Sequence, residues 1–388
     1  MFLCFLFKNK KKLKYINFNN AGASKNPEFV INRVKAYLDE EFLLGGYYAA
    51  EKNKKYIVNF YKNLSSLINC HQSEISFVPS STYGWNFFFD SVNLEKGDNI
   101  IIFENEYGNN FLSLLKKKNV EIRVSELDEE GRICFSNLKK NIDKKTKIIS
   151  VCHIASQSGN IQNVEEICKF SKKLNKEIIF ILDACQSIGH IKIDVKRIKC
   201  DVMVGSGRKY LRGPRGTGFI YVKDSVKKNI QPSIFDSKSC VLKKMNTILY
   251  KKNLFETFEF SPALIIGLSE SLSYLNKLGI KNIEKKIKNL SIYFRKKIKN
   301  IDNMKVYENP LLISGINTIS MKKKSVENIY KYLLKKNILT SISTSSTSYH
   351  HFKKMNLKKL LRISFHYYNT RKEIDYLVDV LKDLAKSS

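Results

Sequence analysis

Two residues at the ends of apolar runs offer paired chemistry. Ile178-Ile179-Phe180-Ile181-Leu182 runs into Asp183, and a later run ends in Ser206-Gly207-Arg208-Lys209. A lysine amine forms a Schiff base with an aldehyde, and a carboxylate can keep a pyridine nitrogen protonated so that the ring accepts electrons. A strand-end Asp followed by a strand-end Lys is what a pyridoxal 5'-phosphate site requires. Lys209 is also one lysine in a lysine-rich chain, so the rest of the sequence has to decide between the two readings.

Three further segments place polar groups after apolar runs. Ser80-Ser81-Thr82-Tyr83-Gly84 follows Ile75–Val78 and opens an amphipathic helix. Free N–H groups and hydroxyls at a helix N-terminus make a phosphate cradle, although capping by Ser81 or Thr82 would need no ligand. Glu106-Tyr107-Gly108-Asn109 follows the run ending at Phe103, and Tyr107 could stack on a flat heteroaromatic ring or simply fill the core. His153-Ile154-Ala155-Ser156-Gln157-Ser158-Gly159 suits either the floor of a site or a loop hydrogen-bond network.

The elements that must position these groups alternate. Short β-branched runs at 99–103, 120–124, 147–152, 178–183, 201–205 and 218–222 read as strands. Amphipathic stretches at 109–118 and 164–174 read as helices. That rhythm predicts an α/β domain with a mainly parallel sheet, whose ligands bind beyond the carboxyl ends of the strands. Helical periodicity resumes at 262–278 and 283–298. A smaller α/β unit follows: a strand near 316–320, a helix at 326–336, strand plus loop over 340–348, a strand near 360–365 and a terminal helix at 371–384.

Composition narrows the classes. The chain has 388 residues, and no apolar run approaches the ~20 needed to span a bilayer. The apolar Met1–Phe7 stretch is short and its lysines follow it, so it fails as a signal peptide. The net charge of +32 comes from lysines spread along nearly the whole chain, so no specific nucleic-acid partner is expected. Arginine is more informative. Only ten occur, and three of them, Arg208, Arg212 and Arg215, share one short stretch, which suggests that guanidinium geometry is wanted there. The eight cysteines form no CxxC pair and the six histidines have no metal-ligand spacing, so reduced thiols, a cytoplasmic location and no metal are expected.

The whole chain from about Asn17 to Leu384 resembles the class V aminotransferase superfamily of fold-type I pyridoxal-phosphate enzymes. The resemblance rests on Asn19-Asn20-Ala21-Gly22, Gly45-Gly46-Tyr47, Asp183-Ala184-Cys185-Gln186, Gly207-Arg208-Lys209-Tyr210-Leu211-Arg212-Gly213-Pro214-Arg215-Gly216 and Arg362-Ile363-Ser364 with Tyr368-Asn369-Thr370. It implies a large domain with a seven-stranded-type, mainly parallel sheet flanked by helices over 17–260, a small C-terminal domain over 261–388 and an N-terminal arm over 1–16. It also implies roles. Lys209 carries the cofactor and moves the substrate α-proton, Asp183 pairs with the pyridine nitrogen, and Gln186 binds the phenolic oxygen. Ser81, Thr82, Ser206 and Arg208 hold the phosphate, and Tyr107 stacks on the ring. Arg362 clamps the substrate carboxylate, with Asn20, Gly22 and Ser156 alongside. A homodimer with 255–263 reaching the partner's cofactor is implied as well.

The branch decides the reaction. Cysteine desulfurases carry a nucleophilic Cys on a loop before the terminal Arg motif, and the matching stretch 341–351 has none. Gly45-Gly46-Tyr47, the Gly-Arg-Lys motif and Phe255-Glu256-Thr257-Phe258-Glu259 resemble hercynylcysteine sulfoxide lyase-like and isopenicillin N epimerase-like proteins. The expectation is an amino-acid enzyme that eliminates across Cα–Cβ of a cysteine-derived substrate, a C–S lyase. An aminotransferase or epimerase ranks next and a cysteine desulfurase lower. The non-enzyme alternative is a basic polyanion-binding protein on a retired enzyme fold.

Overall fold

The computed structural model describes residues 15–387. Most of the arm 1–16 lies outside the described residues. A seven-stranded sheet runs, edge to edge, through Ile75–Val78, Gly218–Val222, Val202–Ser206, Ile179–Asp183, Thr146–Cys152, Asn99–Phe103 and Glu121–Ser125. Gly218–Val222 is antiparallel to both of its neighbours, and the other four pairings are parallel. Six strands therefore point their carboxyl ends at one edge.

These strands are apolar on both faces because helices cover both. Ile101, Ile149, Phe180, Leu182 and Met203 join one core cluster, while their alternates Ile100, Ile102, Ile148, Ile181 and Val202 join another. Side chains in a strand alternate between faces, so a doubly covered sheet reads as continuous hydrophobic runs. On the first face the long helix Pro262–Leu278 packs against Lys54–Ile68 and Glu28–Leu44. On the second, Ser81–Ser91 packs its buried Trp85, Phe88 and Phe89.

The C-terminal unit is a four-stranded antiparallel sheet in the order Met304–Val306, Ile316–Met321, Lys359–Ser364, Ser341–Thr344, backed by Val326–Lys335 and Arg371–Lys386. The N-terminal segment joins this unit. Ile16 and Asn17 pair with Ile338 and Leu339, and Phe18 packs edge-on against Phe365.

Most expected elements lie where the periodicity puts them, and the differences have local causes. The helix expected over 109–118 is Gly108–Leu114, followed by turns at 115–116 and 118–119. The helix expected from 283 begins at Ile280, directly after Gly279 at φ 78°. Left-handed Gly279 breaks the chain there, whereas periodicity marks only the first buried residue, Ile283. The hairpin Cys240–Lys244/Thr247–Tyr250 carries no core-facing alternation, because most of its residues are exposed.

A column of rings links the two units. His190 stacks on Tyr210 at 4.0 Å, Tyr210 on His366 at 5.2 Å, and His366 on Tyr368 at 5.1 Å. His190 Nδ1 lies 2.9 Å from the Gln186 carbonyl, and its Nε2 accepts the Gly315 N–H at 2.8 Å. Those partners fix a neutral tautomer with the proton on Nδ1. Burial holds the His190 pKa down at about 4, against 6.5 when exposed. The unfolded chain therefore takes up this proton first as pH falls. His190's contribution to stability is complete above pH 6.5, declines below it and levels off near pH 4. Over that window urea denaturation should show the wild type losing about 3 kcal/mol more than His190→Gln. Parallel curves for the two proteins would refute this assignment.

Candidate active site

The strand ends converge on Lys209. This residue follows Val202–Ser206 by three positions and is 9% exposed. Its turn is closed by Gly207 N–H to the Thr217 carbonyl at 2.9 Å and Gly213 N–H to the Gly207 carbonyl at 2.8 Å. A Cβ on Gly207 would stand 2.0 Å from the Thr217 hydroxyl, so glycine is required for the turn to lie this close. Burial pulls the Lys209 pKa below the ordinary lysine value. Cys185 and Asp183 favour its charge, and Arg208 and Arg362 oppose it. An amine held this way has more of the neutral, nucleophilic form that a carbonyl captures.

Tyr107 lies across from it, its ring centre 6.0 Å from Lys209 Nζ. Burial raises its phenol pKa, as do Cys185 and Asp183, while Arg208 and Arg362 lower it. The loop Ser345–Thr347 closes beside it. A Cβ on Gly108 would come 2.1 Å from the Ser346 carbonyl, so this approach needs glycine.

Asp183 ends the central strand and is 6% exposed. Its Oδ1 accepts the Cys185 N–H and its Oδ2 the Asn110 side-chain N–H, both at 2.9 Å. Cys185 shares this corner. Burial pushes its thiol up to about 12, and the Ser81 hydroxyl and Lys209 act against that rise. Gln186 donates to the Ala21 carbonyl at 3.0 Å, while its Oε1 is buried without a partner.

Ser80, and not Ser81 or Thr82, caps the helix Ser81–Ser91, accepting the Tyr83 N–H at 3.1 Å. The alternative of Ser81 or Thr82 as cap is thereby removed, and both occupy the first turn. The Ser206 hydroxyl is buried without a partner, and the Arg208 guanidinium donates to the Gly22 carbonyl. The sheet brings 81–82 and 206 together, because Gly218 packs directly against Ser80.

Arg362 enters from the small unit. Its Nε donates to Ser341 Oγ at 3.1 Å and its Nη1 to the Ser156 carbonyl at 3.0 Å. Burial lowers its pKa to about 10. Ser156 thus meets Arg362 through its backbone. Asn20 is completely buried. Its amide donates to the carbonyls of Ser364 and Asn17 and to Asn369 Oδ1, and its oxygen accepts from Tyr368. The arginine cluster divides its work. Arg212, at φ 60°, donates to the Lys25 carbonyl and the Tyr367 hydroxyl and lies over Tyr368, while Arg215 is exposed.

Two residues next to this site escape sequence reading. Glu106 is 3% exposed and Asn110 is likewise buried. Glu106 Oε1 accepts from Tyr107 N, Asn110 Nδ2 and the Cys152 thiol, and Oε2 from Ser150 Oγ at 2.7 Å. The only signal was a glutamate directly before Tyr107, and nothing in the spacing couples it to Asp183. Glu106, Cys152 and Asp183 bring their ligand-type atoms within 4.8 Å of one another, but their oxygens already face protein donors.

The donor set fits pyridoxal 5'-phosphate. The Ser206 hydroxyl and the Gln186 oxygen are buried without partners, three residues before Lys209 and three residues after Asp183 respectively, and the Lys209 amine is neutral-leaning. Fold and site define a pyridoxal-phosphate-dependent enzyme of fold type I. The sequence profile of the Aminotransferase class-V family matches residues 16–377, and the chain belongs to that family. A probable cysteine desulfurase of Borreliella burgdorferi is 32% identical over 401 residues, covering 96% of this chain and 92% of the relative. The apo cysteine desulfurase from Thermococcus onnurineus NA1 superposes with a TM-score of 0.88 at 22% identity, covering 96% of this chain and 95% of that one. The cystine C–S lyase C-DES, bound to cysteine persulfide, gives 0.86 at 16% identity, covering 96% and 98%. The shared fold does not separate these chemistries, and the curated sequence relatives are named cysteine desulfurases.

The expectation of a C–S lyase is corrected by those relatives, as is the lower rank given to a cysteine desulfurase. That expectation rests on the stretch 341–351, which carries no Cys, in a fold that houses a desulfurase and a C–S lyase alike.

Borohydride should trap the cofactor on Lys209 of the reconstituted protein and nowhere in Lys209→Ala; label elsewhere would refute the assignment. Arg362→Lys should lose roughly 100-fold in kcat/KM for an amino acid, because a point-charge ammonium replaces a planar fork that makes two directed bonds. A variant with unchanged kcat/KM would remove Arg362 from substrate recognition.

Proposed function

We propose that the protein removes sulfur from cysteine to give alanine. The observation that carries this reading is the juxtaposition of buried Lys209 and Asp183 with half-buried Arg362 in a chain whose curated relatives are named cysteine desulfurases. Arg362 would take the substrate carboxylate on its remaining N–H groups, held in place by Ser341 and Ser156. The amine end of the substrate would then lie toward Lys209, and the ring over Tyr107. The bound cofactor supplies an electron sink conjugated to the substrate α-carbon. Lys209 takes the α-proton and returns protons to the carbon skeleton. Ser81, Thr82, Ser206 and Arg208 would hold the phosphate, and Gln186 the phenolic oxygen.

The stretch 341–351 contributes hydroxyls and no thiol. Cys152 donates its thiol proton to Glu106, and Cys185 is held as a thiol by burial. In this reading the sulfur acceptor is a thiol from outside that stretch. Its thiolate attacks the substrate Sγ, an S–S bond forms as Cβ–Sγ breaks, and the electron pair stays on Cβ, which is then protonated. Cysteine and thiol thus become alanine and persulfide. With cysteine and excess dithiothreitol, alanine and sulfide should appear in equal amounts. Pyruvate and ammonia in their place would refute the reading.

The enzyme is further proposed to act as a homodimer. Phe42, Leu43, Tyr47 and Tyr48 are 75–88% exposed side by side around the break at Gly45, and an apolar cluster of this kind favours a covering partner. No helix among the described residues is long and apolar enough to cross a membrane. Sedimentation should give a dimer that Phe42→Asp/Tyr47→Asp converts to monomer; a wild-type monomer at micromolar concentration would dismiss it.

A further inference from the structure

Beneath Asp183 lies a second buried carboxylate that the mechanism above does not use. Glu106 follows the strand Asn99–Phe103 and Asp183 ends the strand Ile179–Asp183, with Thr146–Cys152 between the two in the sheet, and the Asn110 amide bridges the carboxylates. Asn110 Nδ2 donates one N–H to Glu106 Oε1 and one to Asp183 Oδ2, each at 2.9 Å. An amide placed between two carboxyl oxygens can present only its NH2 end to them, since its own oxygen would be repelled by both. Glu106 is itself fixed, by Tyr107 N–H at 2.8 Å, Ser150 Oγ at 2.7 Å and the Cys152 thiol at 3.2 Å.

We propose that Glu106 is a positioning residue: it locks the Asn110 amide so that an N–H always faces Asp183, which keeps the cofactor's ring nitrogen protonated. The chemistry follows from the donor count. Asp183 Oδ1 takes the Cys185 N–H and Oδ2 takes Asn110. With both oxygens so held, Asp183 would keep a fixed accepting face toward the ring nitrogen, whose proton makes the ring an electron sink. If the amide turned over, its oxygen would face Asp183 Oδ2, and the carboxylate would lose that donor and the orientation it imposes. Glu106 needs only acceptor geometry for this task. Burial and the nearby Asp183 charge both raise its pKa, so its own ionisation is disfavoured. The inference rests on the cofactor and is independent of the substrate.

The test uses full-length protein reconstituted with pyridoxal phosphate carrying ¹⁵N in the ring. The nitrogen chemical shift reports protonation directly, and cofactor affinity is read in parallel. Wild type should show the protonated shift. Glu106→Leu and Asn110→Ala should move it toward the neutral value and weaken cofactor binding about tenfold. Glu106→Gln should restore both readouts, because its carbonyl can occupy the Oε1 position while its NH2 faces Ser150. A general loss of structure would lower the melting temperature without moving the shift. A protonated shift in both Glu106→Leu and Asn110→Ala overturns the proposal. A neutral shift in Glu106→Gln overturns the acceptor role. Should Glu106→Leu not fold, Asn110→Ala and Glu106→Gln carry the same decision.

Discussion

The structure depends on keeping one amine out of water. A lysine ammonium is expensive to bury, and Lys209 is nonetheless 9% exposed beside two arginines. Free energy spent in this way lowers the lysine's hold on its proton and makes it a nucleophile. The cost is met by the rest of the domain. Two apolar faces of a seven-stranded sheet are covered by helices, and six strand ends are brought to one edge. The glycine-rich turn after Ser206 can lie close only because Gly207 and Gly213 carry no side chain.

The same edge explains why the small unit belongs to the site. Arg362 lies on an antiparallel strand of that unit, yet its guanidinium is fixed by the Ser156 carbonyl from the large sheet. Arg212, three residues beyond Lys209, holds the Lys25 carbonyl and the Tyr367 hydroxyl. The ring column from His190 to Tyr368 runs alongside. These contacts tie the Arg362 guanidinium of the small unit to the large unit that carries Lys209.

Much of this was readable beforehand. The runs at 99–103, 164–174, 218–222 and 262–278 coincide with the observed elements, because helix and doubly buried strand leave distinct periodicities. The places of Lys209 and Asp183 after strands were legible because the apolar runs before them end where the strands do. The hairpin at 240–250 was not, because an exposed hairpin has no buried face to imprint a pattern. The reaction was read from 341–351, where no Cys occurs, and the curated relatives named cysteine desulfurases overturn that reading.

Sequence by itself determined the cofactor chemistry, the family and the α/β rhythm. Only tertiary structure decided which groups share a corner. Glu106, Asn110 and Asp183 are separated by up to 77 positions in the chain, and strand order alone makes them neighbours: Asn99–Phe103, Thr146–Cys152 and Ile179–Asp183 lie side by side. A hydrogen bond acts over about 3 Å, and sequence records no distance between strands until their pairing is known.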